Sequence, residues 1–203
     1  VLNCIAITFD DGPLQYSNNL VDAFYTTGTK ATFFLVGERA KADQSATRWA
    51  YQAGMEVGVH GWQHLYYTNY GYNYIHYDFE AAGLAIESAT GHWPNVMRPP
   101  YGYYNNTVNS AAGALGMANI MWTDNAWDYE YTNATYLRND VVDMARRDSV
   151  ILMHDGYAAT RTAMPGIISD LKAQGYTLVT VEELLGYTPR PGVVYFDEDP
   201  ILR

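Results

Sequence analysis

The chain has 203 residues, 48% hydrophobic and 17% charged, with a formal net charge of −10. That length and apolar content fit one domain, residues 1–203, with an ordinary core, and argue against a disordered chain. Twelve Lys and Arg against 22 Asp and Glu argue against a nucleic-acid binder, and no apolar run reaches the roughly 18 residues of a membrane span.

In chain order, short apolar runs alternate with longer helical patterns. Residues 4–9 read as a buried strand and 16–27 as a helix closed by Gly28. A strand at 31–36 precedes a helix at 42–52 stopped by Gly54, and a third strand covers 55–59. A helix is predicted over 77–90, a short strand over 95–98, and another helix over 107–115. Strand 117–122, helix 135–147 and strand 150–153 follow. Helix 163–174 leads to a last strand at 176–179, before the short segment 181–185. About seven strand-then-helix units predict an α/β fold with a parallel sheet. Seven or eight of them in this length point to a TIM-like (β/α)7–8 barrel rather than an open sheet. Residues 187–203 carry three prolines and an acidic run, and read as a C-terminal extension.

Other features select less. The sequence starts at Val1 without an initiator Met, as in a processed chain. Cys4 is the single cysteine, so no internal disulfide forms. Asn105 and Asn133 each open an N-glycosylation pattern, a weak sign of secretion. Nineteen tyrosines, crowded around residues 66–77, would suit a platform for sugar rings, because Tyr pairs an apolar body with a polar tip.

The chemistry-bearing residues cluster at strand ends. Asp10 and Asp11 follow the first predicted strand, His60 and His64 the third, and Arg98 the fourth. Asp124 and Asp128 follow the fifth, His154 and Asp155 the sixth. In parallel α/β folds the carboxyl ends of the strands converge on one face, where catalytic groups sit. Adjacent carboxylates repel, and a buried pair needs a neutralising partner. In "HGWQH" the two imidazoles are spaced to reach one metal ion from one side. Two His and one Asp leave positions open for water and substrate, as in a catalytic divalent site, with zinc the expected ion and cobalt a second. The other aspartate is then free to act as a base on the water that the ion acidifies. Spacing alone does not say which aspartate does which. His76 and His92 read as surface or turn histidines.

Together these residues resemble the polysaccharide deacetylases of carbohydrate esterase family 4, the NodB-homology domain, from Thr8 to about Leu185. "TFDDGP" resembles the first family motif and implies Asp10 as general base and Asp11 as metal ligand. "HGWQH" resembles the second, implying His60 and His64 as the other ligands. "RPPYG" resembles the third, in which Arg98 would orient the base and the Tyr101 N–H would bind the oxyanion. "LMH" resembles the fifth, with Leu152 lining the acetyl pocket and His154 as general acid. "KATFFLVG" is similar to the family's second strand. The resemblance implies a distorted form of the predicted barrel and a metal-dependent hydrolase that releases acetate.

Two departures stand out. Gly61 occupies the place of a Ser or Thr whose hydroxyl steadies the metal loop, so that loop is expected to be looser or braced otherwise. The fourth motif is blurred in "TDNAWDY". Asp128 is the preferred partner of His154, with Tyr129 in place of Trp, and Asp124 with Trp127 is the alternative. Tyr129, Trp127 and Trp62 are candidate sugar-contacting rings, Trp62 equally a packing residue.

The expected substrate is chitin or its oligomers, with acetylxylan or peptidoglycan as alternatives. A carbohydrate-binding protein with weak or no turnover is the reading from a different class. A monomer, secreted or associated with the cell wall, is expected.

Overall fold

The first strand runs inside a curled sheet, two strands from one edge, in a computed structural model that describes residues 3–197 and 200–201. Residues 198, 199, 202 and 203 of the predicted extension, and the start at Val1, lie outside the described residues. The strands are β1 (Asn3–Asp10), β2 (Thr32–Leu35), β3 (Glu56–Val59), β4 (Val96–Met97), β5 (Ala118–Ile120), β6 (Asp124–Asn125), β7 (Val150–His154), β8 (Tyr176–Leu178), β9 (Val194–Tyr195) and β10 (Pro200–Ile201). The helices are α1 (Ser17–Thr27), α2 (Gly37–Ala42), α3 (Gln44–Gln52), α4 (Tyr72–Thr90), α5 (Asn106–Ala114), α6 (Ala134–Met144), α7 (Ala158–Ala173) and α8 (Val181–Leu185).

Strand order is β10-β9-β5-β4-β3-β2-β1-β7-β6, with β8 paired to the first residues of β1. Every pairing is parallel except β9 with β10. The sheet curls into a half-barrel flanked by helices, the distorted (β/α)7–8 barrel expected. Alternation along β1 builds two cores. Ile5, Ile7 and Phe9 join the cluster under the helices, while Ala6 joins an inner cluster with Phe34, Val96, Ala118, Ile120 and Val150. Helix α8 adds Val181, Leu184 and Leu185 to that inner cluster. Each such side chain contributes about 1.5–3 kcal/mol by leaving water.

Several boundaries differ from the sequence reading. The segment before α3 forms a separate helix, α2, and α4 begins five residues before the predicted 77. Helix α7 begins at Ala158 rather than 163 and carries Pro165 inside it. The tail adds β9, which pairs parallel with β5. Asn105 and Asn133, the two glycosylation candidates, are N-caps: their side chains accept N–H bonds from Val108 and from Thr135 and Tyr136.

Register aligns the polar residues. Asp10 on β1 sits opposite His154 on β7 and Phe34 on β2. Leu35 pairs with Val59, and Val59 with Met97, so His60 and Arg98 leave β3 and β4 at the same level. Parallel pairing brings side chains far apart in sequence to one rim.

Candidate active site

Arg98 is the keystone of the rim. Its guanidinium is wholly buried, yet every face has a partner. Nε donates to the Ile120 carbonyl at 2.8 Å, Nη2 to the Met121 carbonyl at 2.9 Å, and Nη1 to Thr8 Oγ1 at 2.7 Å and Asp10 Oδ1 at 2.9 Å. The cation also lies over the Phe34 ring, 4.3 Å from its centre. A buried charge is tolerated only with such pairing. Asp10 is thereby fixed through one oxygen, and its other oxygen stands 3.7 Å from His60 Nε2.

The adjacent Asp11 points elsewhere. Its backbone is left-handed, with φ 78°, which rotates its side chain away from Asp10. Oδ1 lies 3.0 Å from His64 Nε2 and 3.4 Å from His60 Nε2. These three ligand atoms fall within 4.8 Å of one another. His60 Nδ1 is 2.8 Å from the Arg98 carbonyl, which can only accept, so Nδ1 carries the proton and Nε2 turns a lone pair inward. Asp11 Oδ1 is buried and, with the His60 Nε2 lone pair turned toward it, has no hydrogen-bond donor. Burial pushes the Asp11 carboxyl up, but hydrogen bonding and charge from the imidazoles, whenever they carry a proton on Nε2, outweigh it and hold it well below the ordinary carboxylate range. Two imidazole nitrogens and an orphaned carboxylate oxygen in one corner are the donor set of a divalent cation.

Across the cleft, His154 Nδ1 is 2.7 Å from Asp128 Oδ1. The other Asp128 oxygen accepts the His154 N–H at 2.8 Å and the Thr160 hydroxyl at 2.6 Å, so this buried carboxylate is fully partnered. Burial pushes the imidazole pKa down, but the Asp128 bond and charge, with the charges of Asp10 and Asp11, reverse this and raise it. Asp124 instead pairs with Arg146 and the Thr123 hydroxyl. Of the two candidate partners for His154, then, the contact is made by Asp128.

Asp10, Asp11, His60, His64 and His154 line one open cleft of about 490 Å³, together with Tyr101, Leu152, Trp127 and Tyr129, while Arg98 and Asp128 lie buried behind it. Tyr129 meets His154 edge-on, with ring centres 5.5 Å apart. Tyr101 stacks flat on Tyr66 at 3.8 Å and meets the His64 ring at 4.6 Å. Backbone strain concentrates here. Asp11, His64, Tyr101 and Trp127 are four of the five non-glycine residues with positive φ among the described residues, a conformation costing about 1–3 kcal/mol each and typical of functional sites.

Trp62 does not line this cleft. It packs against Gly37 and borders a separate groove between the metal loop and α4, with Lys41 over its ring. Of its two readings this position fits packing beside the metal loop, because the loop turns at Gly61 and sends residue 62 toward the helices. His76 and His92 sit beside Tyr72 and Tyr51, away from the cleft. Several groups escaped the sequence reading, among them Tyr103 and Trp122, which also line the cleft. Tyr157 lines the cleft three residues past His154, where the strand-end rule could have found it. Thr8 and Thr160 act through Arg98 and Asp128, and carry no local signal.

Residues 2–120 match the family model described as polysaccharide deacetylase. The chain is 32% identical to PgdA, a peptidoglycan-N-acetylglucosamine deacetylase of Listeria monocytogenes, over 96% of its own length and 41% of that protein's. It is 34% identical to a chitin deacetylase of Pestalotiopsis sp. over 92% of its length and 65% of that protein's. The chain thus spans about two fifths of the first relative. A family 4 carbohydrate esterase from Streptomyces lividans, solved in complex with acetate, superposes with a TM-score of 0.85 at 30% identity, covering 93% of this chain and 98% of that one.

Proposed function

The chain belongs to the polysaccharide deacetylase family, carbohydrate esterase family 4 with its NodB-homology domain, and from this we propose that it hydrolyses acetyl groups from polysaccharide. The substrate unit we propose is N-acetylglucosamine, in chitin and its oligomers or in peptidoglycan. Relatives named for both polymers support that reading. The observation that carries the activity is the meeting of three arrangements in one cleft: Asp10 on Arg98, Asp11 with His60 and His64, and His154 on Asp128.

Asp11, His60 and His64 would hold the divalent cation. When bound, such an ion polarises the acetyl carbonyl and acidifies water near neutral pH. Asp10, aimed by Arg98, takes the proton from the attacking water. The Tyr101 N–H stabilises charge developing on the carbonyl oxygen, and Leu152 bounds the space for the acetyl methyl. His154, oriented through Nδ1 by Asp128, whose bond and charge raise its pKa, donates to the departing amine nitrogen. Trp127 and Tyr129 flank the sugar. Amide hydrolysis needs that acid more than ester hydrolysis does, since an amine leaves poorly without a proton. We further propose a monomer, because every group of the site comes from one chain, working outside the cell or in the wall where such polymers occur.

The test is acetate release from chitin oligomers, peptidoglycan and acetylxylan, with chelator and with added zinc or cobalt. Release from the amide substrates alone, abolished by chelator, is expected. Release from acetylxylan alone would overturn the substrate reading. No release from any polymer with the ion bound would favour a binding protein.

A further inference from the structure

Between the two histidines of the loop that follows β3, Gly61 leaves a space that another residue fills. Its φ is +73°, and a Cβ built there would lie 2.0 Å from Tyr67 Oη and 2.7 Å from Tyr67 Cζ. The phenol thus occupies the volume of a side chain at position 61. Tyr67 is fully buried, its ring edge-on to Phe79 with centres 4.8 Å apart. Its hydroxyl donates to Asp78 Oδ2 on α4, and the same oxygen accepts the Trp62 N–H at 2.7 Å. Burial and the Asp78 charge push the phenol pKa well above its ordinary value, so it remains a donor at any working pH.

The loop is held from two other sides. The Leu35 carbonyl at the end of β2 accepts the His60 N–H at 2.8 Å. The first amides of α2, Gly37 and Glu38, donate to the Gly61 and Trp62 carbonyls at 2.8 and 3.2 Å. From α4, the hydrogen bond to this loop is the one that Asp78 accepts from the Trp62 N–H. His64 also has a left-handed backbone, φ 57°, a conformation that persists only where surrounding contacts over-determine it. Past His64 the chain folds back and places Tyr67 against Gly61.

We infer that Tyr67 and Asp78 are positioning residues for the cation: they brace the His60–His64 loop from beneath and so set how tightly the ion is held. Neither touches the ion's ligand atoms; both act through the backbone of residues 61 and 62. The inference rests on the metal reading given above. Losing such supporting contacts typically lowers metal affinity by 10- to 100-fold.

The measurement is zinc affinity by competition with a chromogenic chelator, with the melting temperature of the metal-free chain recorded alongside. Tyr67→Phe keeps the ring and its packing and removes only the hydroxyl. It is expected to lose about 10-fold in affinity with a metal-free melting temperature near wild type. Its kcat at saturating zinc should return toward wild type with KM unchanged, and its cobalt absorption bands should shift. Asp78→Ala should lose as much, while Asp78→Asn, which keeps an acceptor, should retain most of the affinity. If Tyr67→Phe does not fold, the Asp78→Ala and Asp78→Asn pair decides alone. Wild-type affinity in Tyr67→Phe and Asp78→Ala would overturn the brace while leaving the metal reading intact. Failure of the wild-type chain to bind zinc or cobalt would overturn both.

Discussion

Adjacent aspartates here do different work because their backbones differ. Asp10 ends β1 in extended geometry and is held by Arg98, whereas Asp11 adopts φ 78° and faces the imidazoles. Replacing Asp10 with Asn keeps the Arg98 bond and removes the base. The rate of acetate release should fall about 100-fold or more while zinc affinity stays within a few-fold of wild type, and equal losses in both would mean that Asp10 is a ligand. His154 offers a second test at this scale. Its pKa is raised, so the acid form survives to higher pH and activity is lost as pH climbs through that value. Asp128→Asn keeps an acceptor for Nδ1 and removes the charge that helps to raise it. The alkaline limb of the kcat/KM profile should move to lower pH, with activity down about 100-fold. An unmoved limb would reject His154 as the proton donor.

At the scale of elements, α8 hangs on one buried carboxylate. Glu56 on β3 accepts the Val181 and Glu182 amides at the helix N-terminus and the Thr32 hydroxyl, while its other oxygen has no partner. Burial pushes its pKa from 4.5 up to about 7, against the pull of those bonds. Between those two values the folded chain holds a proton that the unfolded chain has released. The stability from this group is therefore complete below about pH 4.5 and is lost as pH rises through about 7. Glu56→Gln should flatten that dependence, read from urea midpoints at pH 5 and pH 8; parallel curves for variant and wild type would contradict it. Elements were unevenly legible. The parallel strands and the placement of Asp10, His60, Arg98 and His154 at their ends could be read directly, since apolar runs and strand-end logic are local. Helix α2 and the first five residues of α7 were not, because Gly37 and Pro165 weaken the local helical signal and packing overrides it. Strand β9 is two residues long and exists only by pairing with β5. Gly61 read as a weakness in the metal loop, and only the folded structure brings Tyr67 beneath it.

For the whole molecule, a net charge of −10 favours cation uptake at low ionic strength. An ion bound by the folded chain alone also stabilises it, by about 2.7 kcal/mol at 100 times Kd. For a chain of this length that corresponds to a melting temperature higher by about 5–10 °C. Chelation should remove that increment from wild type and leave Asp11→Ala unmoved; a drop of the same size in Asp11→Ala would place the ion elsewhere. The central claim, that Asp11, His60 and His64 hold one dication, is tested most directly by counting bound metal per chain under native mass spectrometry after zinc loading and desalting. One ion per wild-type chain, and none in Asp11→Ala or His64→Ala, is the predicted result. No ion on the wild-type chain, or one still bound by both variants, would contradict it.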